Sequence, residues 1–427
     1  MKRHMQTTPV TPLLERTPQE LQQRRSDALH RLADVPRFPH SRYLNYDELN
    51  DISWKLEGTP RSPEEVAERI PYPVRLSPTP RDALVLALVN GHLHRLSTSD
   101  LPLRLMRPEE ALRTLPGFAD RWMRRLAAYE DRFALTLQAY WTQAWVLHVP
   151  RNTRVEGNVR LIRMVDEEGL LDPLYLHIVL EPGASLQVVE ELYSTRLEDP
   201  TLVLSGIEAD VGEEAQLRYT QIQALTGNTF FAGYRLATTH RYARMAWLGA
   251  TLGARKVYVR QNIRIEGEGS ENDASELFLL GDHQQTDMYA ELDHAVGGAQ
   301  GTLLSQAVLR DHARKVFTGM IRIRPGAQKS NAFQADHNLM LSPNAKSDSI
   351  PSLEIEADDV RATHSASMGQ MEEEKLFYLR ARGIPLKEAR KLMVFGHFGP
   401  TLDRLDSETG DQVHHLLEKR WEELEQD

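Results

Sequence analysis

Pro182-Gly183-Ala184-Ser185-Leu186-Gln187-Val188-Val189 places a tight corner, then a small residue, then the alternating positions of a strand. Working outward, related corners stand at Gly212-Glu213-Glu214-Ala215, Tyr242-Ala243, Asn272-Asp273-Ala274, Gly297-Gly298-Ala299 and Pro325-Gly326-Ala327. Their alanines recur roughly every 25 to 31 residues, which is the scale of a solenoid repeat. Short strand-like runs accompany them at 174–179 (LYLHIV), 186–189 (LQVV), 217–219 (LRY), 263–265 (IRI) and 320–323 (MIRI). A small corner residue suits a stack of rungs, because neighbouring strands lie about 4.8 Å apart and a large inward side chain collides at the turn. The expected fold is therefore mainly β, with a β-helix core. A β-sandwich with regularly spaced turns is the competing reading.

Composition narrows the function classes. The 427 residues are 41% hydrophobic and 26% charged, enough for a substantial core and for two or three domains. A formal charge of −10 argues against nucleic-acid binding as the main task, since the phosphate backbone requires a basic face. No apolar run approaches the roughly 18 residues that span a bilayer, and MKRHMQTTPV at 1–10 lacks the apolar segment of a secretory signal. The expectation is a cytoplasmic protein with no membrane partner. With no cysteine, the chain has no thiolate of its own for metal binding, catalysis or redox switching.

Helical signals flank the β region. Thr17-Pro18-Gln19-Glu20 and Ser62-Pro63-Glu64-Glu65 each read as an N-cap, a proline at the first helical position and a capping-box glutamate. Leu21, Ala28, Leu29 and Leu32 recur at helical spacing before Pro36, and a third helical stretch starts at Pro108 and continues past Trp122. Between them, 83–91 (ALVLALVNG) reads as a strand ending in an Asn-Gly turn. After Gly369, a helix with acidic residues in its first turn ends at Gly383, followed by Pro385; a second starts at Leu386, and Val413, Leu416, Leu417 and Trp421 mark a third. The expected domains are a mainly helical segment 1–130, a β-helix core 131–362 and a helical C-terminal domain 363–427. Helices at both ends of a stack can be simple lids.

No nucleophile elbow, glycine-rich phosphate loop or His-Glu-x-x-His motif is present. Asp358-Asp359 would point to opposite faces of a strand, so the pair reads as structural or solvated. His283, His294 and the pair His414-His415 read as exposed or packed imidazoles, for want of convergent donors. His364, in 357–370 (ADDVRATHSASMGQ), remains open between ligand, catalyst and packing.

From Lys315 to Phe398 the chain resembles the SufB/SufD family of iron–sulfur cluster assembly proteins. The blocks that carry the resemblance are F-x-G-x-I from Phe317, P-x-LEI-x-ADDV from Pro351 to Val360, and LFYL-x-x-RGI from Leu376 to Ile384. Weaker similarity reaches back through 139–161 (AYWTQAWVLHVPRNTRVEGNVRL). The resemblance implies a right-handed parallel β-helix core flanked by N-terminal and C-terminal helical domains, in agreement with the corner spacing. It further implies a non-catalytic scaffold of the SUF system, paired with a paralogue through the β-helix and with a SufC-like ABC ATPase through the C-terminal helices. ATP hydrolysis would reside in that ATPase.

The absence of cysteine favours the SufD side, with a SufB-like paralogue supplying thiolates. The family segment usually written Cys-x-His-Gly-Ala is here Ala362-Thr363-His364-Ser365-Ala366, so the histidine stays while the cysteine and the glycine are replaced. On this reading the chain alone binds no cofactor, and His364 is a candidate ligand for iron or a transient cluster at the SufB interface. The alternative for His364 is a hydrogen bond at the junction of β-helix and tail. The resemblance places Arg380, Arg382, Gly383 and Ile384 in the segment expected to contact the ATPase, although Gly383 also suits a helix C-terminus on its own. A homodimer working with the ATPase and, from another class, a polysaccharide-active β-helix protein are the other readings.

Overall fold

A computed structural model describes residues 17–39, 43–79, 81–97 and 101–426; residues 1–10, read above for a signal, lie outside them. The described strands run from β1 (Asp82–Val89) to β19 (Arg361–Gln370) and form one sheet of ten strands and one of nine. From β4 (Gln143–Val149) onward, successive strands alternate between the two sheets, so each repeat contributes one rung to both. Within a sheet, neighbours are parallel: Gln216 of β9 (Gln216–Ala224) lies between Ser185 of β7 (Ser185–Ser194) and Arg244 of β11 (Arg244–Thr251). This is a parallel β-solenoid, and it excludes the sandwich. The long chain of hydrophobic positions between the sheets forms its core, from Leu84 to Phe317 and Ala345.

The ladder register shows which residues occupy the corners. Ala184, Ala215, Ala243, Ser270, Ala299 and Ser330 immediately precede the stacked strands of the ten-stranded sheet, and all are buried. Two expected positions are therefore corrected. Ala274 lies inside β13 (Glu271–Leu280), and Ala327 opens a longer corner whose stacked position falls to Ser330. Alanine and serine are similar in size, and the site selects size. The residue before each is left-handed, with φ of +72° at Gly183, +56° at Glu214, +55° at Tyr242, +72° at Gly269, +72° at Gly298 and +61° at Lys329. This conformation aims its N–H at the next rung, as in Gly183 N–H to Glu213 O at 2.8 Å and Glu214 N–H to Arg241 O at 2.8 Å.

The helices lie along the outer faces of the sheets. The N-terminal half supplies α1 (Gln19–Asp34), α2 (Pro63–Ala67), α3 (Pro108–Thr114), α4 (Phe118–Arg121) and α5 (Arg132–Tyr140); all but α2 pack on the outer face of the nine-stranded sheet, whereas Val66 of α2 packs with Val85 of β1 and Ile162 on the ten-stranded sheet. Ser62 and Glu65 form the expected reciprocal capping box on α2, and Asn90-Gly91 turns β1 into β2 (His92–Arg95). The expected helix through Trp122 is instead broken into α3, α4 and a short 3₁₀ turn at Leu126–Ala128. α5 went unread because all nine of its residues are buried, which leaves no polar period to detect. Asp131 caps it by accepting from Phe133 N–H and Ala134 N–H at 3.0 and 3.2 Å. A Cβ on Gly206 would stand 2.6 Å from Leu137 of α5, so glycine permits this close approach.

At the other end of the chain come α6 (Glu373–Ala381), α7 (Leu386–Leu402) and α8 (Ser407–Gln426). Val394 and Phe398 of α7, with Val413, Leu416, Leu417, Trp421 and Leu424 of α8, pack over Ile162, Val189, Ile222, Leu277 and Val308 on the outer face of the ten-stranded sheet. They cover a side of the solenoid, so the simple lid reading does not hold for them. The expected 362/363 boundary falls inside β19, and β1 joins the solenoid from within segment 1–130.

The solenoid interior also holds charge. Arg235, 2% exposed, reaches Glu276 and binds Gln221 Oε1 at 2.6 and 3.1 Å; Glu276 accepts from Thr251 at 2.9 Å. A buried pair contributes little net stability, but one widowed member is costly. Arg235→Leu should therefore destabilise the chain by roughly 3–5 kcal/mol, and adding Glu276→Gln should recover part of the loss. Urea unfolding followed by tryptophan fluorescence checks both.

Candidate functional site

The two ends of the solenoid differ. At the N-terminal end, β2 lies antiparallel on β1, and β3 (Arg104–Met106) lies antiparallel on β4. At the C-terminal end, β18 (Lys346–Ile355) and β19 are the edge strands, each with one ladder neighbour. Every residue of β19 except Ala362 is exposed, and none of β18 is fully buried. Ten-residue edges without cover present unpaired N–H and C=O groups that can template another strand. Ile355 and Met368 add exposed apolar surface there, 42% and 55% accessible.

His364 lies in β19, exposed, in register above Gln334 of β17 (Asn331–Met340), Leu303 of β15 (Gln300–Leu309) and Ala274. In-register residues of a parallel ladder point the same way. Leu303 and Ala274 belong to the core between the two sheets, which directs His364 to the inward side at the mouth of the solenoid. Gln334 is 1% exposed, and neither its Nε2 nor its Oε1 has a hydrogen-bond partner among the described residues. Its neighbour Asp336 meets the fully buried Lys315 of β16 (Arg314–Ile323), which also donates to Asn338 Oδ1 at 2.9 Å. Phe278 and Phe317 flank the Lys315 ammonium at 5.1 and 5.2 Å. Burial pushes Lys315 below its ordinary range. Asp336 is also held low: burial alone would raise it, and Lys315 with Asn338 outweighs that effect.

Ala362 continues the small inward column above Ala332, whereas Ser365 faces outward. Among the described residues, no three His, Asp or Glu side chains converge as a metal site. The described residues therefore supply His364 alone to a metal ion at this place.

Arg380 lies in the last turn of α6, and Arg382, Gly383 and Ile384 lead from it toward α7. Gly383 has φ of +85°; its N–H bonds to Arg380 O at 2.9 Å, and Ile384 N–H bonds to Leu379 O at 3.3 Å. These are the two bonds of a Schellman motif, as expected for a glycine at that place. Arg380 and Arg382 are exposed, and the Arg382 guanidinium lies 5.0 Å from the Tyr378 ring. Phe377, Tyr378, Leu386 and Leu392 are 73%, 57%, 40% and 53% exposed, which makes this hairpin an apolar surface edged by arginines.

The other singled-out residues do not join the end face. Asp358 and Asp359 occupy an exposed corner bend and not a strand. His283 stacks on His312 of the next corner at 4.9 Å, and both are exposed. His414 lies 3.8 Å from Glu418, and His415 is exposed on α8. His294 is fully buried in β14 (Gln285–His294), between Ile265 and Ile323 of adjacent rungs.

A family model described as "SUF system FeS cluster assembly, SufBD core domain" matches residues 164–397, more than half of the chain. The chain belongs to the SufBD family. It is 30% identical over 279 residues to the iron-sulfur cluster assembly protein SufD of Bacillus subtilis (strain 168), covering 64% of this chain and 63% of that protein. The match thus spans less than two thirds of that relative. An iron-sulfur cluster assembly SufBD family protein of Staphylococcus haemolyticus (strain JCSC1435) is 23% identical over 384 residues, covering 88% of this chain and 83% of that protein. No helix among the described residues is long and apolar enough to cross a membrane.

Sequence reading missed Gln334, Asp336, Asn338 and Lys315. In 331–340 (NAFQADHNLM) polar residues alternate, as on a solvated face, but here that face points inward. It placed the stretch that holds Phe377 and Tyr378 against the ATPase by resemblance without singling out either ring, and it missed Leu392; 376–379 (LFYL), apolar on every side of a helix, was the available signal.

His294 makes stability depend on pH. Burial lowers its pKa to about 4, from 6.5 in the unfolded chain. The folded form resists protonation, so the associated stability is present above pH 6.5 and lost as pH falls toward 4. His294→Leu should flatten that window, a difference of roughly 3 kcal/mol at full expression, measurable as melting temperature against pH.

Proposed function

We propose that this chain is a SufD-like, non-catalytic scaffold subunit of an iron–sulfur cluster assembly complex, acting in the cytoplasm. The observation that carries the reading is the uncovered end of the solenoid: two adjacent ten-residue edge strands with His364 on the inward side of one of them. A SufB-like paralogue with its own edge strands extends both sheets across this face and brings the thiolates that this chain lacks. Iron or a nascent cluster is cargo at that junction, with neutral His364 as the imidazole ligand from this side. The α6–α7 hairpin offers Phe377, Tyr378, Arg380 and Arg382, on a turn shaped by Gly383 and Ile384, to an ABC ATPase.

Native mass spectrometry of the mildly purified complex tests the assembly. A paralogous chain together with ATPase subunits is the expected composition; a homodimer without ATPase would remove the reading. Arg382→Glu should leave the melting temperature within about a degree, because the side chain is exposed, and should weaken ATPase binding about tenfold. His364→Ala should leave the complex intact by mass while cluster formation falls, monitored by visible absorbance. Unchanged cluster yield would exclude His364 as a ligand.

A further inference from the structure

Helix α7 contains a proline, Pro400, which has no N–H to offer the carbonyl four residues earlier. The adjacent turn is spanned by a side chain from the solenoid. Gln306 of β15, 2% exposed, donates from Nε2 to the His397 carbonyl; its Oε1 accepts from Thr401 N–H at 3.1 Å and from Thr401 Oγ1–H at 2.7 Å. The carbonyl of residue 397 and the amide of residue 401 are the two halves of one helical rung. One glutamine amide thus joins both halves to a solenoid strand. Gly396 and Gly399 frame this turn, with nothing within 4 Å of where a Cβ would stand, so side-chain packing does not stiffen the turn at either position.

His397 extends the connection. Its ring Nε2–H donates to the His337 carbonyl of β17 at 3.2 Å, and burial holds the imidazole below the ordinary histidine range. The His337 ring in turn pairs through Nδ1 with Ser367 Oγ of β19 at 2.7 Å. A continuous set of hydrogen bonds therefore runs from the middle of α7 through β15 and β17 to β19, the strand that carries His364. Upstream of the glycines, α7 bears the exposed Leu386 and Leu392 and joins α6; downstream, Thr401 is buried.

We propose that Gln306 and His397 are positioning residues that couple the α6–α7 hairpin to the open end of the solenoid. Movement of the hairpin is passed into β15, β17 and β19 and is not absorbed at the turn from Gly396 to Pro400. The inference rests on the reading of that hairpin as the ATPase-docking surface.

The test uses the full chain in its complex with the paralogue and the ATPase. Three quantities are read: ATPase affinity, the change in hydrogen exchange of residues 361–370 on adding ATP, and clusters formed per ATP hydrolysed. Gln306→Met should keep affinity within about twofold, abolish the ATP-dependent exchange change, and lower clusters per ATP about tenfold. His397→Leu, which leaves the Gln306 clamp in place, should do the same, whereas His397→Gln, which retains a donor, should restore part of the response. Failure of the wild-type chain to bind any ATPase would overturn the docking reading and this inference with it. A wild-type complex that assembles but shows no ATP response at 361–370, or folded Gln306→Met and His397→Leu complexes that respond like wild type, would overturn the coupling alone.

Discussion

Parallel strands stacked in register about 4.8 Å apart force residues at equivalent places in successive repeats to share one environment. Everything else in this molecule follows from that constraint. A corner position must be small in every rung, hence Ala184, Ala215, Ala243, Ser270, Ala299 and Ser330 in one column. A polar group placed inward must find its partners in the neighbouring rungs, hence Gln221, Arg235 and Glu276 in contact across the two sheets. The column that ends in His364 has a buried glutamine beneath it, and its amide has no partner among the described residues.

Such a stack has no intrinsic end. Each rung satisfies its backbone groups through the next, and the last rung is left with a full set of donors and acceptors. This protein treats its two ends differently, turning two strands antiparallel at one and leaving β18 and β19 uncovered at the other. Of the C-terminal helices, α7 and α8 pack on the side of the ten-stranded sheet and protect its apolar outer face, while β19 stays exposed. The arrangement separates two surfaces on one molecule. The open rung presents edge strands and an imidazole; the α6–α7 hairpin presents aromatic rings and guanidinium groups. Members of the SufBD family share the core that makes this separation possible.

Several local signals in the sequence were legible, although the cap expected at Thr17 was not one of them: α1 begins at Gln19 with Pro18 at the N-cap position. The Ser62 capping box, the Asn90-Gly91 turn and the Gly383 helix terminus each depend on a few adjacent residues, and each is found as expected. Helix α5 was not legible, because a helix buried on all sides has no polar face to set a period. The polar alternation in β17 was legible as alternation but not as direction. Gln334, Asp336 and Asn338 look like a solvated face until Lys315 of the other sheet is placed opposite them.

The sequence carried a solenoid period in its small corners and short strands, while the ladder register was needed to exclude the sandwich. It also determined that any thiolate chemistry must come from another chain, since composition is independent of fold. The tertiary structure decided which residues meet. Gln306 and Thr401 are separated by 95 positions and share a hydrogen bond; His364 and Gln334 are 30 apart and lie on adjacent rungs. It also decided which end stays open. Stacking energy depends on what occupies the next rung, and the end of the stack shows itself only when all the rungs are assembled.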